Sequence, residues 1–192
     1  MKLIVGLGNP GPRYKDTRHN VGYRVAQRLA DTLDIKLSHK RFQAIFGEAV
    51  TEGMRLIIAK PAAYMNSSGT AVFELMRNKK VALEDLLVVC DDAALSTGAL
   101  RIKSKGSSGG HKGLESIVQS LGSWDFARLR IGIGRRPADD TLADYVLGEF
   151  AGHEKKAIEE AVEEASTAAK AWAARGIDYA MNKFNQRSKK DE

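Results

Sequence analysis

The segment Lys2-Leu3-Ile4-Val5-Gly6-Leu7-Gly8-Asn9-Pro10-Gly11 gives the first indication of the fold class. Residues 2–8 are apolar and rich in branched side chains, which is typical of a buried strand. A loop rich in proline and glycine follows. From Asn20, a candidate N-cap, apolar residues recur every four positions between Val21 and Leu33, which predicts a helix. A buried strand followed by a helix is the first unit of an α/β protein.

The rest of the chain repeats this alternation. Further strands are predicted at 44–51, 55–60, 86–90, 99–103 and 128–133, and further helices after an N-cap at Asn66 or Ser67 and at 109–121, 154–174 and 177–184. Neither a linker nor an internal repeat interrupts the pattern. We therefore predict one domain, residues 1–185, with a flexible polar tail at 186–192. The expected architecture is an α/β/α sandwich with helices on both faces of a mixed, mostly parallel sheet.

Composition narrows the class of protein. The 192 residues are 43% hydrophobic and 28% charged, an ordinary globular profile. The net charge of +6 suits a polyanionic partner without naming one. A single cysteine, Cys90, allows no internal disulfide, and no Cys/His cluster has zinc-site spacing. The apolar N-terminal run is too short for a signal peptide, and no segment is long enough to span a bilayer. We expect a soluble, cytoplasmic protein without a metal or a membrane contact.

One short motif suggests nucleotide binding. Residues 6–11 match the G-x-G-x-x-G dinucleotide fingerprint and follow a predicted strand. That fingerprint requires a helix to begin at once, so that a pyrophosphate sits on its N-terminus. Here Pro10 and Pro12 flank the last glycine and the next helix begins near Asn20, so we do not favour a nucleotide site.

A second short motif suggests a serine hydrolase. Residues 106–110 match G-x-S-x-G around Ser108, and Asp140 or Asp144 and then His153 follow in the order of an α/β-hydrolase triad. The strand before such a serine is normally buried, whereas residues 101–105 are half charged. We favour a flexible glycine-serine loop over a nucleophile.

Four polar residues are predicted to lie at one edge of the sheet. Asn9 follows the first strand, Asn66 follows a later one, and Asp91 ends the strand at 86–90. His19 ends the loop that leads into the first helix. Because active sites in α/β sheets gather at the carboxyl ends of strands, these side chains are expected to meet in one cleft.

Such a set suits hydrolysis of an ester by activated water. A histidine can take a proton near neutral pH, and a carboxylate on its other nitrogen fixes the tautomer. An amide N–H can stabilise the oxyanion of an ester under attack. Each residue also has a structural interpretation: Asn66 as a helix cap, His19 as a surface loop residue and Asp91 as a turn former. The residues alone leave both interpretations open.

Five motifs in this sequence resemble those of bacterial-type peptidyl-tRNA hydrolases. They are Gly6–Gly11, Tyr14 with Thr17–Gly22, Lys60-Pro61 with Tyr64–Gly69, Gly109-Gly110-His111 with Gly113-Leu114, and Phe126–Gly134. They occur in order between residue 2 and about residue 184, so the resemblance covers almost the whole chain.

The resemblance implies a monomeric, cofactor-free ester hydrolase without an obligate protein partner. Its substrate would be peptidyl-tRNA that has left the ribosome, bound by the acceptor end and split into free tRNA and peptide. His19 would be the general base and Asp91 the carboxylate that orients it. Asn9 would distinguish N-blocked from free aminoacyl esters, and Asn66 would bind substrate and polarise the carbonyl.

Other positions are implied to bind substrate. Tyr14, Tyr64 and Met65 would line the cleft around the terminal adenosine and the peptide, and His111 belongs to the glycine turn that contacts substrate. Arg130, with Arg101 and Lys103, would form the basic surface that holds a tRNA phosphate.

The sequence departs from the family pattern at two places. Lys112 stands where the family usually has an asparagine that contacts substrate and can hold a water, and lysine donates hydrogen bonds but cannot accept them. Residues 93–96 replace the usual Leu-Asp-Leu-Pro. An alternative is therefore a catalytically weakened RNA-binding protein on the same fold, with Lys112 among its tRNA contacts.

Overall fold

The computed structural model describes residues 1–51 and 53–185, and this part of the chain contains one sheet of seven strands. The strands are β1 (Lys2–Gly6), β2 (His39–Arg41), β3 (Ala44–Thr51), β4 (Met54–Pro61), β5 (Leu86–Asp92), β6 (Leu100–Lys103) and β7 (Ala127–Gly132). The α-helices are α1 (Val21–Thr32), α2 (Ser68–Lys79), α3 (Lys112–Leu121), α4 (Leu142–Leu147), α5 (Lys155–Arg175) and α6 (Ile177–Phe184). The predicted tail at 186–192 and Glu52, in the predicted turn between β3 and β4, lie outside the described residues.

The sheet is mixed, as predicted. Its strand order is β2-β3-β4-β1-β5-β7-β6. The three central pairings, β4 with β1, β1 with β5 and β5 with β7, are parallel, and the pairings nearer the edges are antiparallel. The carboxyl ends of β1, β4, β5 and β7 therefore share one edge of the sheet, where a site is expected.

Helices cover both faces of the sheet. Successive strand residues point to opposite faces, so in β1 Ile4 packs on one side while Leu3 and Val5 pack on the other. The face with Ile4 packs against α1 and α5, and the opposite face packs against α2 and α3. This confirms the predicted α/β/α sandwich. Within the described residues, no helix combines the length and apolarity needed to cross a bilayer.

Glycines let α1 pack closely against β1. A Cβ placed on Gly6 would lie 2.1 Å from the backbone oxygen of Gly22, and one placed on Gly8 would meet the ring of Tyr23 at 2.6 Å. No α-helix begins at Gly11, because a 3-10 turn at Pro12–Tyr14 follows it and α1 begins only at Val21. Gly6 and Gly8 of the fingerprint motif thus allow close packing against α1, whereas a Cβ on Gly11 would meet nothing within 4 Å.

Among the described residues, one strand and one α-helix were not predicted. Strand β2 has only three residues, all exposed and basic, so it lacks the apolar alternation that marks a strand. The short helix α4 is capped by Thr141, whose hydroxyl accepts a hydrogen bond from Asp144 N–H. The sequence Thr141-x-x-Asp144 is a capping pattern that could have revealed α4. Other boundaries differ by a few residues; for example, the helix predicted from Gly109 begins at Lys112.

Candidate active site

The site is centred on a buried contact between a histidine and an aspartate. His19 lies in a 3-10 turn, Arg18–Asn20, directly before α1, and Asp91 lies near the carboxyl end of β5. Nδ1 of His19 is 2.8 Å from Oδ1 of Asp91. Nε2 of His19 has no hydrogen-bond partner in the described part of the chain, and the residue keeps 8% of its surface exposed. A reactant in the cleft can therefore reach Nε2.

A second histidine contacts the same carboxylate oxygen. Nε2 of His111 lies 3.0 Å from Oδ1 of Asp91, and Nδ1 of His111 accepts hydrogen bonds from the backbone N–H groups of Gly113 and Leu114 at the start of α3. Because Nδ1 accepts, the ring proton resides on Nε2, which donates to Asp91. Both ring nitrogens of His111 are thus hydrogen-bonded within the protein. The predicted substrate-binding role of His111 would therefore have no free ring nitrogen to use.

The two histidines determine the charge state of Asp91. Burial by itself raises the pKa of this carboxyl, but the electrostatic attraction and hydrogen bonds of His111 and His19 outweigh burial and hold the pKa below its usual range. An ionised Asp91 can only accept hydrogen bonds, so Nδ1 of His19 must donate to it. The lone pair of His19 is therefore on Nε2, as a general base requires.

His19, Asp91 and His111 also have the composition of a metal site. Metal binding through Nε2 of His111 would require this nitrogen to lose its proton while Nδ1 still accepts two backbone hydrogen bonds. The ring would then be an imidazolate, which is costly without further positive charge. The hydrogen-bond pattern therefore fits a histidine oriented by a carboxylate better than a metal centre.

Asn9 is held at the same edge of the sheet. Its Oδ1 accepts a hydrogen bond from the backbone N–H of Met65 at 2.8 Å, which orients the amide. Asn20 fixes the backbone of Asn9 from both sides, because its Oδ1 accepts from Asn9 N–H and its Nδ2 donates to Asn9 O. The described residues offer no partner to Nδ2 of Asn9, which remains a donor for a ligand. Asn20 was predicted only as an N-cap, but its side chain does not cap α1.

The loop after β4 carries the other predicted cleft residues. Met65 is buried, and its sulfur would be 2.5 Å from a Cβ at Gly113, so this loop packs against the start of α3. Asn66 is exposed, and Ser67 rather than Asn66 is the N-cap of α2, so the structural interpretation of Asn66 as a cap is wrong. Tyr64 is 62% exposed and meets Tyr14 edge to face at 6.3 Å between ring centroids.

The predicted basic residues line one side of the sheet at its β6–β7 edge. Arg101 is the pairing partner of Arg130, and Lys103 extends the row at an exposed position. Nε of Arg130 lies 3.0 Å from Oδ2 of Asp92, the residue next to Asp91. Strand β5 therefore contacts both groups of residues, because its Asp91 binds His19 and its Asp92 lies beside Arg130 of the basic row.

Buried Arg128 also lies in β7 but has a structural role that the sequence analysis missed. Its guanidinium donates to the carbonyl oxygens of Gly106, Ser107 and Trp124, so it holds the loops before α3 and before β7. Burial, and then the nearby Arg130, lower the pKa of Arg128. A charged residue in an alternating strand gives no sequence signal for this role.

Lys112 and Ser108 form their side-chain hydrogen bonds with residues other than His19 and Asp91. The Lys112 side chain is 69% exposed, and its ammonium pairs with Glu115 on the surface of α3 at 3.1 Å. Ser108 accepts a hydrogen bond from Gly110 N–H, whereas Asp144 bonds Thr141 and His153 is exposed. Within the described residues, no triad forms around Ser108, in agreement with the sequence analysis.

Comparisons with known proteins give one consistent family. The sequence profile of the family described as "Peptidyl-tRNA hydrolase" matches residues 3–192. The chain is 49% identical to a peptidyl-tRNA hydrolase of Desulforudis audaxviator, covering 96% of this chain and 93% of the relative. It is 46% identical to one of Syntrophomonas wolfei, covering 96% and 100%. A crystal structure of peptidyl-tRNA hydrolase from Acinetobacter baumannii has a TM-score of 0.91 at 35% identity, covering 96% of this chain and 94% of that one. These matches do not favour the alternative of a weakened RNA-binding protein.

Proposed function

Because this chain belongs to the peptidyl-tRNA hydrolase family, we propose that His19 is the base that activates water against the ester of its substrate. The chain is a carboxylic ester hydrolase that acts on peptidyl-tRNA. The assignment of His19 rests on one observation above all: its Nδ1 donates to buried Asp91 at 2.8 Å, which leaves Nε2 as the basic nitrogen.

The proposed reaction proceeds in two steps. Nε2 of His19 takes a proton from water while the water oxygen attacks the carbonyl carbon of the ester. Asp91 stabilises the imidazolium that forms. The tetrahedral intermediate then collapses, the bond to the ribose oxygen breaks, and His19 returns its proton to that oxygen. The products are a peptide with a free carboxylate and a tRNA with a free 3′-terminal ribose.

Asn9 and Asn66 supply the polar contacts in this proposal. Since Oδ1 of Asn9 is occupied by Met65 N–H, its Nδ2 presents only donors to the cleft. A donor matches the carbonyl oxygen of an acylated amino group and repels the ammonium of a free aminoacyl ester. This supports a role for Asn9 in selecting N-blocked esters. Exposed Asn66 follows Met65 directly and would donate to the ester carbonyl.

The remaining residues are proposed to bind and orient. Tyr14 and Tyr64 form an accessible aromatic pair on which the terminal adenosine can stack. Arg130, Arg101 and Lys103 would hold a phosphate of the acceptor arm. His111, with both ring nitrogens engaged, would orient Asp91 rather than touch substrate.

The decisive experiment measures release of labelled N-acetyl-aminoacyl groups from tRNA. We expect His19→Ala to abolish turnover while tRNA binding persists, and His39→Ala, which changes an exposed histidine on β2, to leave turnover intact. Ser108→Ala should remain active, because Ser108 is not the nucleophile. Turnover by His19→Ala, or an inactive Ser108→Ala, would refute the assignment.

Two further measurements complete the proposal. The unmodified protein should cleave unblocked aminoacyl-tRNA poorly. In Asn9→Ala, the rate on the unblocked ester divided by the rate on the blocked ester should rise. We also propose that the protein acts in the cytoplasm as a monomer without a protein partner. Sedimentation at the concentration of the assay tests the oligomeric state, and a dimer would contradict it.

A further inference from the structure

The turn that carries His19 is tied to three different parts of the molecule by three consecutive side chains. His19 contacts Asp91 on β5, Asn20 contacts Asn9 after β1, and Arg18 contacts the segment between α4 and α5. Nothing in the reaction proposed above uses Arg18.

Arg18 is bound more extensively than a surface arginine. Its Nη2 donates to Oε2 of Glu154 at 2.8 Å and its Nη1 donates to the carbonyl oxygen of Glu149. The guanidinium also lies over the rings of Tyr145 and Phe150, at 4.5 and 5.2 Å from their centroids. The side chains of Arg18 and Glu154 are only 11% and 12% exposed, so water screens this ion pair weakly.

Backbone hydrogen bonds also connect the turn that carries His19 to the segment between α4 and α5. Thr17 forms an antiparallel bridge with Glu149, and Arg18 N–H donates to Gly148 O at 2.9 Å. Glu154 in turn accepts hydrogen bonds from Ala151 N–H and the Thr97 hydroxyl, so it is itself fixed at the start of α5. The residue before His19 is therefore held by both its backbone and its side chain.

We propose that Arg18 is a positioning residue that, through its ion pair with Glu154, fixes the turn that aims the His19 imidazole at Asp91. The proposal rests on His19 being the base. A histidine that serves as a base must hold its ring within a fraction of an ångström of the productive geometry, and misplacement of about 1 Å can cost roughly 100-fold in rate. Arg18 would act on the rate through His19, without touching substrate.

A second ion pair nearby offers a control. Arg24 of α1 pairs with Glu159 of α5, about one and a half helical turns further along the chain from His19. This pair is more exposed than the Arg18 pair, at 25% and 59% for its two side chains, and its loss should leave the turn at residues 17–20 intact.

The test compares Arg18→Gln, Arg18→Lys, Glu154→Gln and Arg24→Gln with the unmodified protein on N-acetyl-aminoacyl-tRNA. We expect Arg18→Gln and Glu154→Gln to lower kcat by roughly 10- to 100-fold with little change in KM. Arg18→Lys should recover part of the loss because it keeps the charge but not the planar fork. The His19 ring proton bonded to Asp91, visible by NMR in the unmodified protein and in Arg24→Gln, should broaden or vanish in Arg18→Gln.

The outcomes separate this inference from the proposed function. If His19→Ala is inactive but Arg18→Gln and Glu154→Gln keep full kcat, the positioning role is wrong and the base stands. If Arg24→Gln loses as much kcat as Arg18→Gln, the effect is general weakening of the fold and the inference is overturned. If His19→Ala is active, the proposed base itself fails. Should Arg18→Gln not fold, Arg18→Lys and Glu154→Gln decide in the same way.

Discussion

Nδ1 of His19 and Oδ1 of Asp91 lie 2.8 Å apart although 72 positions separate the two residues in the chain. The contact joins the turn before α1 to the carboxyl end of β5, the strand that pairs with β1. It determines which nitrogen of His19 is basic, and several measurable consequences follow from it and from the packing around it.

Asp91→Asn should lower kcat by about 10²- to 10⁴-fold, because an amide can present either a donor or an acceptor to His19 and does not stabilise the imidazolium. Single-turnover hydrolysis of N-acetyl-aminoacyl-tRNA measures the loss. Asp85→Asn is a matched control, since Asp85 pairs with Lys2 before β5 begins, away from the site edge. An Asp91→Asn protein with nearly full kcat would contradict the assignment.

The stabilisation that Asp91 contributes should disappear in acid. The pKa of Asp91 is lowered in the folded protein, since the two histidines outweigh the effect of burial. Its contribution is therefore complete above the ordinary carboxyl pKa of about 3.9 and is lost as pH falls toward the folded-state pKa. Urea unfolding of the unmodified protein and Asp91→Asn should give a free-energy difference that shrinks as pH falls below about 4. A difference independent of pH down to 2.5 would be inconsistent with this.

Affinity for tRNA should fall as salt rises, because each lysine or arginine that meets a phosphate releases counterions. Each contact adds about 0.7 to 0.9 to the steepness of log K against log salt. Lys103→Ala, which removes a basic side chain from β6, should reduce this slope by the contribution of about one phosphate contact. Lys156→Ala, an exposed lysine near the start of α5, should not. A slope that is zero, or unchanged by Lys103→Ala, would remove this row from the interface.

The Cys90 thiol should be inert in the folded protein. It is fully buried in β5, and burial, together with the charges of Asp91 and Asp92, raises the pKa of the thiol well above its usual range. A disulfide reagent such as DTNB should therefore react only after unfolding and then titrate one thiol per chain. Rapid reaction of the native protein at neutral pH would show that β5 opens at its site end.

Gly6→Ala should destabilise the fold strongly, since the added Cβ would lie 2.1 Å from the backbone oxygen of Gly22 in α1. The expected loss in free energy of unfolding is about 1–3 kcal/mol or more, measured by urea denaturation. At Gly152 an added Cβ meets nothing within 4 Å, so Gly152→Ala should change stability by less than about 0.5 kcal/mol. Equal effects would mean that α1 does not pack tightly on β1.

Local patterns in the sequence are enough for much of the architecture. A short apolar run such as 86–90 favours a buried strand, and the four-residue spacing between Val21 and Leu33 favours a helix that buries one face. Because active sites in such sheets lie at the carboxyl ends of strands, the sequence also predicts that Asn9, His19 and Asp91 lie at one edge of the sheet. Strand β2 escapes such reasoning because its three exposed residues are ordered by pairing with β3 and not by burial.

The chemistry of individual side chains was decided only by the tertiary structure. The sequence contains four histidines. The residues next to them in the chain do not show that both ring nitrogens of His111 form hydrogen bonds, with α3 and with Asp91, while Nε2 of His19 stays available. Nor does it show that Arg18 binds Glu154, 136 positions away. The preference of a segment for helix or strand follows largely from its local pattern of apolar and polar residues, which the sequence displays directly. Hydrogen-bond partners and charge states depend on atoms that only the packed sheet brings together.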